Sequence, residues 1–403
     1  MNNIDKKNWF LYVIAMLIPL LFFTHLEWRP ENPAWHQRDI FFGADSDRVI
    51  NDLKDGRKQI QVVPNEEKLI AHTRDNLHPY FSLVAVTISN AGSMFGFGNV
   101  EFPIYRTVLG CLSVFLFWLF IFKQTNAIQA FSSLALLMSS MAFRVWTAVP
   151  DTFIFSFAGL MVSLNLIRIN AKPEYVLLSS MFGALSNITL GAFNLIFNSY
   201  TLKQAVKNAV TFLLMALILS IIQQIIYPNS SHFFEYGIIY ESDHINSYHS
   251  IKFIFFKVFD FFVSGFMLPI SSNISLPVSS DGLWLEFFKT NHSKRFMLQT
   301  ISMILLLSVL YASSLIAFSK KIKSDKIRST ILGYICFELV FHLIYGDPPF
   351  LYALNFLPMI IIFLSIYQLD KIKQFQPFLF LLMAILIQKF SVLEIGLFNR
   401  YFL

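Results

Sequence analysis

Runs of about twenty apolar residues recur along the whole chain, the length a helix needs to cross the ~30 Å hydrocarbon core of a bilayer. They fall at about 8–24, 78–94, 103–122, 128–143, 152–168, 174–186, 187–200, 208–227, 296–318, 330–345, 350–368 and 377–395. A further Phe-rich run at 251–270 carries Lys257 and Asp260 and fits either a span or an interfacial helix. Charged residues make up only 14% of the 403, against roughly 25% in soluble domains, and many lie between the apolar runs. The expected fold is all-α: a polytopic transmembrane helix bundle of about 11–13 membrane segments, forming one integral membrane domain over residues 1–403. Segments 174–186 and 187–200 are too short to cross alone. Such short, broken helices are tolerated only against protein or a watery cavity, which points to a site inside the bundle.

Short basic loops set the expected orientation, because cytoplasmic loops collect Lys and Arg. The stretch Lys320 to Arg328 and the Asp370–Lys373 stretch read as inside, as do Arg168, Lys172, Lys203 and Lys207. Tyr345 to Pro349, the Ser/Asn-rich stretch 271–293, Pro150-Asp151 and Ser186-Asn187 then fall outside. Lys6 and Lys7 precede the first apolar run, and no Ala-x-Ala-like cleavage site follows it, so a retained helix with a cytoplasmic N-terminus is expected. The first half carries a parity conflict. Four apolar segments before Asp151 would return the chain to the inside, so one of them, such as 78–94 or 128–143, does not cross fully.

The net charge of +6 is accounted for by these loops, and no nucleic-acid partner is implied. Cys111 and Cys336 lie within apolar runs and read as packing residues. Neither Gly-x-x-x-x-Gly-Lys-Ser/Thr nor Gly-x-Gly-x-x-Gly opens a helix. Energy for any reaction must then come from the substrate, an ion gradient or a partner.

The main polar island runs from residue 25 to 77, an extracytoplasmic first loop holding ten of the chain's 25 carboxylates. Asp45-Ser46-Asp47-Arg48 leads into Val49, Ile50 and Leu53, which share one face of a helix suited to the membrane surface. Asp45 and Asp47 read either as N-terminal caps or as a general base or metal ligand at the lipid–water boundary. The island ends in Arg74-Asp75-Asn76-Leu77-His78-Pro79, where Arg74 suits a phosphate and His78 can hydrogen-bond it, while Asp75 or Asn76 can cap the next helix. Pro150-Asp151-Thr152 opens another apolar run on the same side. Ser186-Asn187-Ile188-Thr189 interrupts one, and reads either as interhelical hydrogen bonding or as part of the site. A second extracytoplasmic region, 228–295, holds His232, His244 and His249 at spacings that match no compact zinc motif. It ends in Lys289, His292, Lys294 and Arg295, which suit interfacial anchoring or a lipid phosphate.

A cytoplasmic N-terminus, a long outward first loop with an Asp pair, His78-Pro79-Tyr80-Phe81-Ser82-Leu83, an outward Pro150-Asp151 and a broken Ser186–Thr189 stretch together resemble the GT-C class of polytopic glycosyltransferases. That class includes protein mannosyltransferases and the aminoarabinose transferases of lipid A. Tyr345 to Tyr352 is similar to the late outward loop of that group. The resemblance implies a sugar donor on a polyprenyl or dolichyl phosphate, used on the extracytoplasmic face of a bacterial inner membrane. It implies Asp45, or else Asp47, as catalytic base. Arg74, His78 and Asp151 would position phosphate or acceptor, with Arg48, Asp75, Asn187 and Arg295 completing the substrate-binding set. The chain ends soon after its last helix, without a soluble C-terminal domain, which favours a glycan or lipid acceptor over a protein. No cofactor beyond the lipid-linked donor is required, and a divalent metal is left open. The competing expectations are a flippase or transporter of lipid-linked saccharides, and a glycan polymerase or ligase.

Overall fold

The computed structural model describes residues 8–25, 80–84, 101–148, 152–191, 201–226, 251–263, 265–267, 294–320, 326–345 and 352–388, with 87, 94, 275–276 and 285–286. Its helices are α1 (Trp9–His25), α2 (Glu101–Gln124), α3 (Ala127–Ser139), α4 (Met141–Ala148), α5 (Phe153–Arg168), α6 (Pro173–Gly183), α7 (Leu202–Ile226), α8 (Ile251–Val263), α9 (Lys294–Lys320), α10 (Lys326–Ile344), α11 (Ala353–Ile366), α12 (Asp370–Lys373) and α13 (Gln376–Gln388). A 3-10 turn spans Ile188–Leu190, and β1 (Ser275–Leu276) pairs antiparallel with β2 (Leu285–Glu286). The architecture is a helix bundle. Four stretches, Ile104–Gln124, Leu202–Ile226, Ile301–Ser319 and Ile327–Ile344, are long and apolar enough to cross a membrane.

Helix α11 is the hub. Every residue from Ala353 to Ser365 is buried, so it has no solvent or lipid face, as expected for a helix apolar all round. It packs against α2, α3, α4, α5, α9 and α10. Its few polar groups are matched across the interfaces: Ser156 Oγ donates to Asn355 Oδ1 at 2.6 Å, and Ser365 Oγ lies 2.8 Å from Ser133 Oγ. Helix α7 is the opposite case, with Leu213, Leu214, Ile218, Ile221 and Ile225 all exposed on an apolar surface that suits lipid.

The α5–α6 hairpin shows how local sequence sets tertiary contact. Helix α5 ends in a Schellman arrangement: Ala171 N donates to Leu166 O, Asn170 N donates to Ile167 O, and Asn170 takes φ 52°. Asparagine tolerates that left-handed geometry, and Pro173 then opens α6 at a position where its missing N–H costs nothing. The two helices approach through small residues at i, i+4 spacing, Gly159 with Ser163 and Ser179 with Gly183, and the two serine hydroxyls meet at 2.6 Å. A Cβ at Gly159 would fall 2.5 Å from the Gly183 Cα. Gly159→Ala is expected to push the helices apart and lower stability by about 2 kcal/mol, read as a drop in the thermal unfolding midpoint of the detergent-solubilised protein.

Candidate functional site

Interhelical contacts give the bundle two distinct ends. Helices α2 and α5 run parallel, since Tyr105 lies 5.2 Å from Phe155 and Asn165 Nδ2 donates to Leu116 O. Helix α5 is parallel to α11 through Ser156 and Asn355, and α10 is antiparallel to α11, because His342 stacks on Tyr352 while Arg328 lies over Tyr367. Helix α9 shares the direction of α11, with Phe318 against Phe363 and Tyr367. One end therefore gathers Lys123, Arg168, Lys320, Arg328, Lys371 and Lys373, each at a helix terminus or just beyond it. This is the basic end.

Arg106 Nη2 donates to Phe23 O at 3.4 Å and Tyr12 meets Trp118 and Phe122, so α1 closes where α2 opens and the two helices run antiparallel. Helix α2 closes at the basic end and α5 starts at the other. The passage between is made by α3 and α4 together, with a break at Ser140, whose backbone is extended (ψ 141°). Gln223, near the close of α7, accepts from Leu83 N, close to Phe81 and its partner Phe155 at the polar end. Helix α9 returns from that same end, so α8 lies between two chain passages that share it.

The end opposite the basic one holds a buried polar cluster on α10. Tyr334, Glu338 and His342 recur every four residues and so line one stripe of that helix. All three are buried, Glu338 completely. Thr189 Oγ1, from the 3-10 turn, donates to Glu338 Oε1 at 2.8 Å. His342 Nε2 approaches Glu338 Oε2 to 3.2 Å, yet the two atoms lack the alignment of a hydrogen bond. Tyr334 is buried on the same stripe, one turn before Glu338. From α8, buried Lys257 donates Nζ to the His342 carbonyl at 3.1 Å, satisfying one of the carbonyls left open at the close of α10. An aromatic wall of Tyr352, Phe356, Phe261 and Phe341 surrounds the His342 ring, with Tyr352 stacked at 4.9 Å.

The break that carries Thr189 is itself a capped turn. Asn187 Oδ1 accepts from Thr189 N at 2.9 Å, which stops α6 from continuing into the next apolar run. The Asn187 amide nitrogen and the Ser186 hydroxyl are buried atoms without a protein hydrogen bond. The sequence expectation of interhelical hydrogen bonding at Ser186–Thr189 is met through Thr189 and Glu338. Lys257 and Asp260 are both buried in the bundle, not at its surface.

Asp45, Asp47, Arg48, Arg74, Asp75, His78 and Asp151 lie outside the described residues, and Arg295 is described only as backbone in the first turn of α9. Their neighbours are informative. Tyr80, two residues after His78, donates its hydroxyl to Met181 O at 2.7 Å, and Phe81 packs edge-on against Phe155 of α5. Thr152, next to Asp151, is buried at the start of that same helix. Phe81 and Thr152 thus both lie at the first turn of α5, at the polar end. Among the described residues no group of three or more His, Cys, Asp or Glu side chains is placed to hold a metal. Cys111 is buried, as expected of a packing residue, whereas Cys336 is exposed on α10.

Glu338 and His342 are missing from the sequence expectations. Their signal is an acid and a histidine four residues apart inside an apolar run, where ionisable groups are functional candidates by default. No family model, curated protein or solved structure matches the chain. The turn and α10 are tied together by Thr189, so Thr189→Val should cost about 1–3 kcal/mol by leaving Glu338 without its donor. Thr189→Ser, which keeps the hydroxyl, should restore most of that in the same thermal assay.

Proposed function

We propose that the protein is a membrane glycosyltransferase of GT-C type. It moves a sugar from a polyprenyl-phosphate donor to a glycan or lipid acceptor at the extracytoplasmic face of a bacterial inner membrane. The observation that supports this reading is the uneven charge of the two ends: Lys123, Arg168, Lys320, Arg328, Lys371 and Lys373 gather at one, while the other, which also holds Arg106 and the Lys294-Arg295 start of α9, has a buried polar cluster and the Ser186–Thr189 break. By the positive-inside rule the basic end is cytoplasmic. The polar end, with the first loop, then faces outward, where lipid-linked sugars serve in place of nucleotide sugars.

In this mechanism a first-loop carboxylate, Asp45 or else Asp47, takes the acceptor's hydroxyl proton as the acceptor oxygen attacks the anomeric carbon. The bond from that carbon to the lipid phosphate breaks, and the phosphate leaves with its charge stabilised by Arg74 and His78, with Arg48, Asp75, Asp151, Asn187 and Arg295 lining the substrates. Low water activity beside the bilayer limits hydrolysis of the donor. Among the described residues, the approach of the 80–84 stretch to α5 supports a site assembled from the first loop and the bundle.

A second reading, a transporter or flippase of lipid-linked saccharides, is favoured by one specific observation. Glu338 and His342 lie inside a membrane-length helix, where acid–histidine pairs serve proton-coupled transport. The two readings separate in one experiment on purified protein in liposomes containing labelled polyprenyl-phosphate hexoses. The transferase reading expects labelled glycan or lipid product in the wild type and at least about a 100-fold loss in Asp45→Asn combined with Asp47→Asn. Labelled donor appearing in the opposite leaflet without product supports transport, and full transfer by the double variant removes the first-loop base.

A further inference from the structure

We propose that Lys123 and Arg168 hold the phosphate of an anionic phospholipid at the basic end of the seam between α2 and α5, with the lipid's acyl chains against α1. The seam is fixed by Asn165, whose Nδ2 donates across it to Leu116 O at 3.0 Å. Arg168 follows Asn165 by three residues, on the same side of α5, and its Nε donates back to Asn165 Oδ1 at 3.4 Å. That bond leaves the two terminal nitrogens of the guanidinium for a phosphate. Lys123 follows Leu116 by seven residues, which returns it to the same face of α2. The two helices run parallel, so both cations stand on the seam beyond the Asn165 contact, about one helical turn apart along it.

The protein neutralises neither charge. The described acids at this end, Glu174 and Asp370, are exposed and pair with neither cation. What holds Lys123 is aromatic: its Nζ lies 5.8 Å from the centre of the Tyr12 ring and 5.6 Å from that of Phe122. Tyr12 in turn packs edge-on against Trp118 and Phe122, so α1 opens where α2 closes. Two neighbouring positive charges without a counter-charge repel each other, and an anion between them turns that repulsion into attraction. The choice of a lipid follows from α1. Tyr12 borders a stripe of exposed apolar residues, Trp9, Val13, Met16 and Leu20, at three- and four-residue spacings. Trp9 stands at the opening of the helix, the level at which tryptophan meets lipid headgroups. A free phosphate would use the two cations alone, whereas a phospholipid uses cations and stripe together.

This site is independent of the transferase and transporter readings, and of the leaflet that the basic end faces. Its test is native mass spectrometry of the purified full-length protein, titrated with phosphatidylglycerol, with zwitterionic phosphatidylcholine or with inorganic phosphate. The first phosphatidylglycerol should bind about fivefold or more tightly than phosphatidylcholine. Lys123→Gln and Arg168→Gln should each weaken that binding about fivefold, the loss expected for one basic residue beside an anionic headgroup. Lys373→Gln, which removes the same charge from α12 at the same end, should leave it in place. Inorganic phosphate at equal concentration should not displace the lipid. The comparison of the two lipids on the wild type needs no variant to fold. Equal binding of the two lipids, no loss in either seam variant, an equal loss in Lys373→Gln, or displacement by phosphate would overturn the proposal.

Discussion

The structure depends on one constraint: a helix with no outward face has to settle every polar group against protein. Helix α11 is that helix, and its neighbours are arranged to satisfy it. Ser156 answers Asn355, and Ser133 answers Ser365. Just beyond it, Gln368 reaches Leu310 O and Leu364 O, while Gln376 also bonds Leu364 O. Pro358 is accommodated inside α11 because surrounding helices hold it in place. These bonds fix the direction of each neighbour and so create the two ends.

Once the ends exist, the division of labour follows from electrostatics. At the basic end Arg328 is held over the faces of Phe318 and Tyr367, 4.9 and 4.6 Å from the ring centroids, so even a buried guanidinium there is part of the packing. At the other end the polar groups belong to breaks and helix termini: the Ser186–Thr189 turn, the close of α10, and the first turns of α5 and α11. Lys257 offers positive charge where the α10 dipole is negative, at the His342 carbonyl. A site at this end needs no separate domain. It grows from the places where helices stop.

The helical class and most helix positions were legible in the sequence, because twenty-residue apolar runs have few alternatives in lipid. The break between α6 and the next run was legible too, since Asn187 and Thr189 cap in a way that apolar residues cannot. What the sequence withheld was pairing. Hydropathy does not say that α1 closes where α2 opens; Arg106 against Phe23 and Tyr12 against Trp118 do. The run with Lys257 and Asp260 read either as a span or as an interfacial helix, and only the structure shows that both side chains are buried. Glu338 and His342 were visible as letters. Their meaning came from Thr189, 149 residues earlier, meeting the same carboxylate.

The account turns on which side of the membrane holds the polar end. Its most direct test replaces Cys111 and Cys336 with serine and adds a single cysteine, at Ser324 in the sequence between α9 and α10 or at Asp347, which follows α10 in the sequence. Intact cells are then treated with a membrane-impermeant maleimide. The account predicts that the cysteine at 347 reacts in intact cells and that the one at 324 reacts only after the membrane is opened. The reverse pattern would place the polar cluster in the cytoplasm and contradict an extracytoplasmic site.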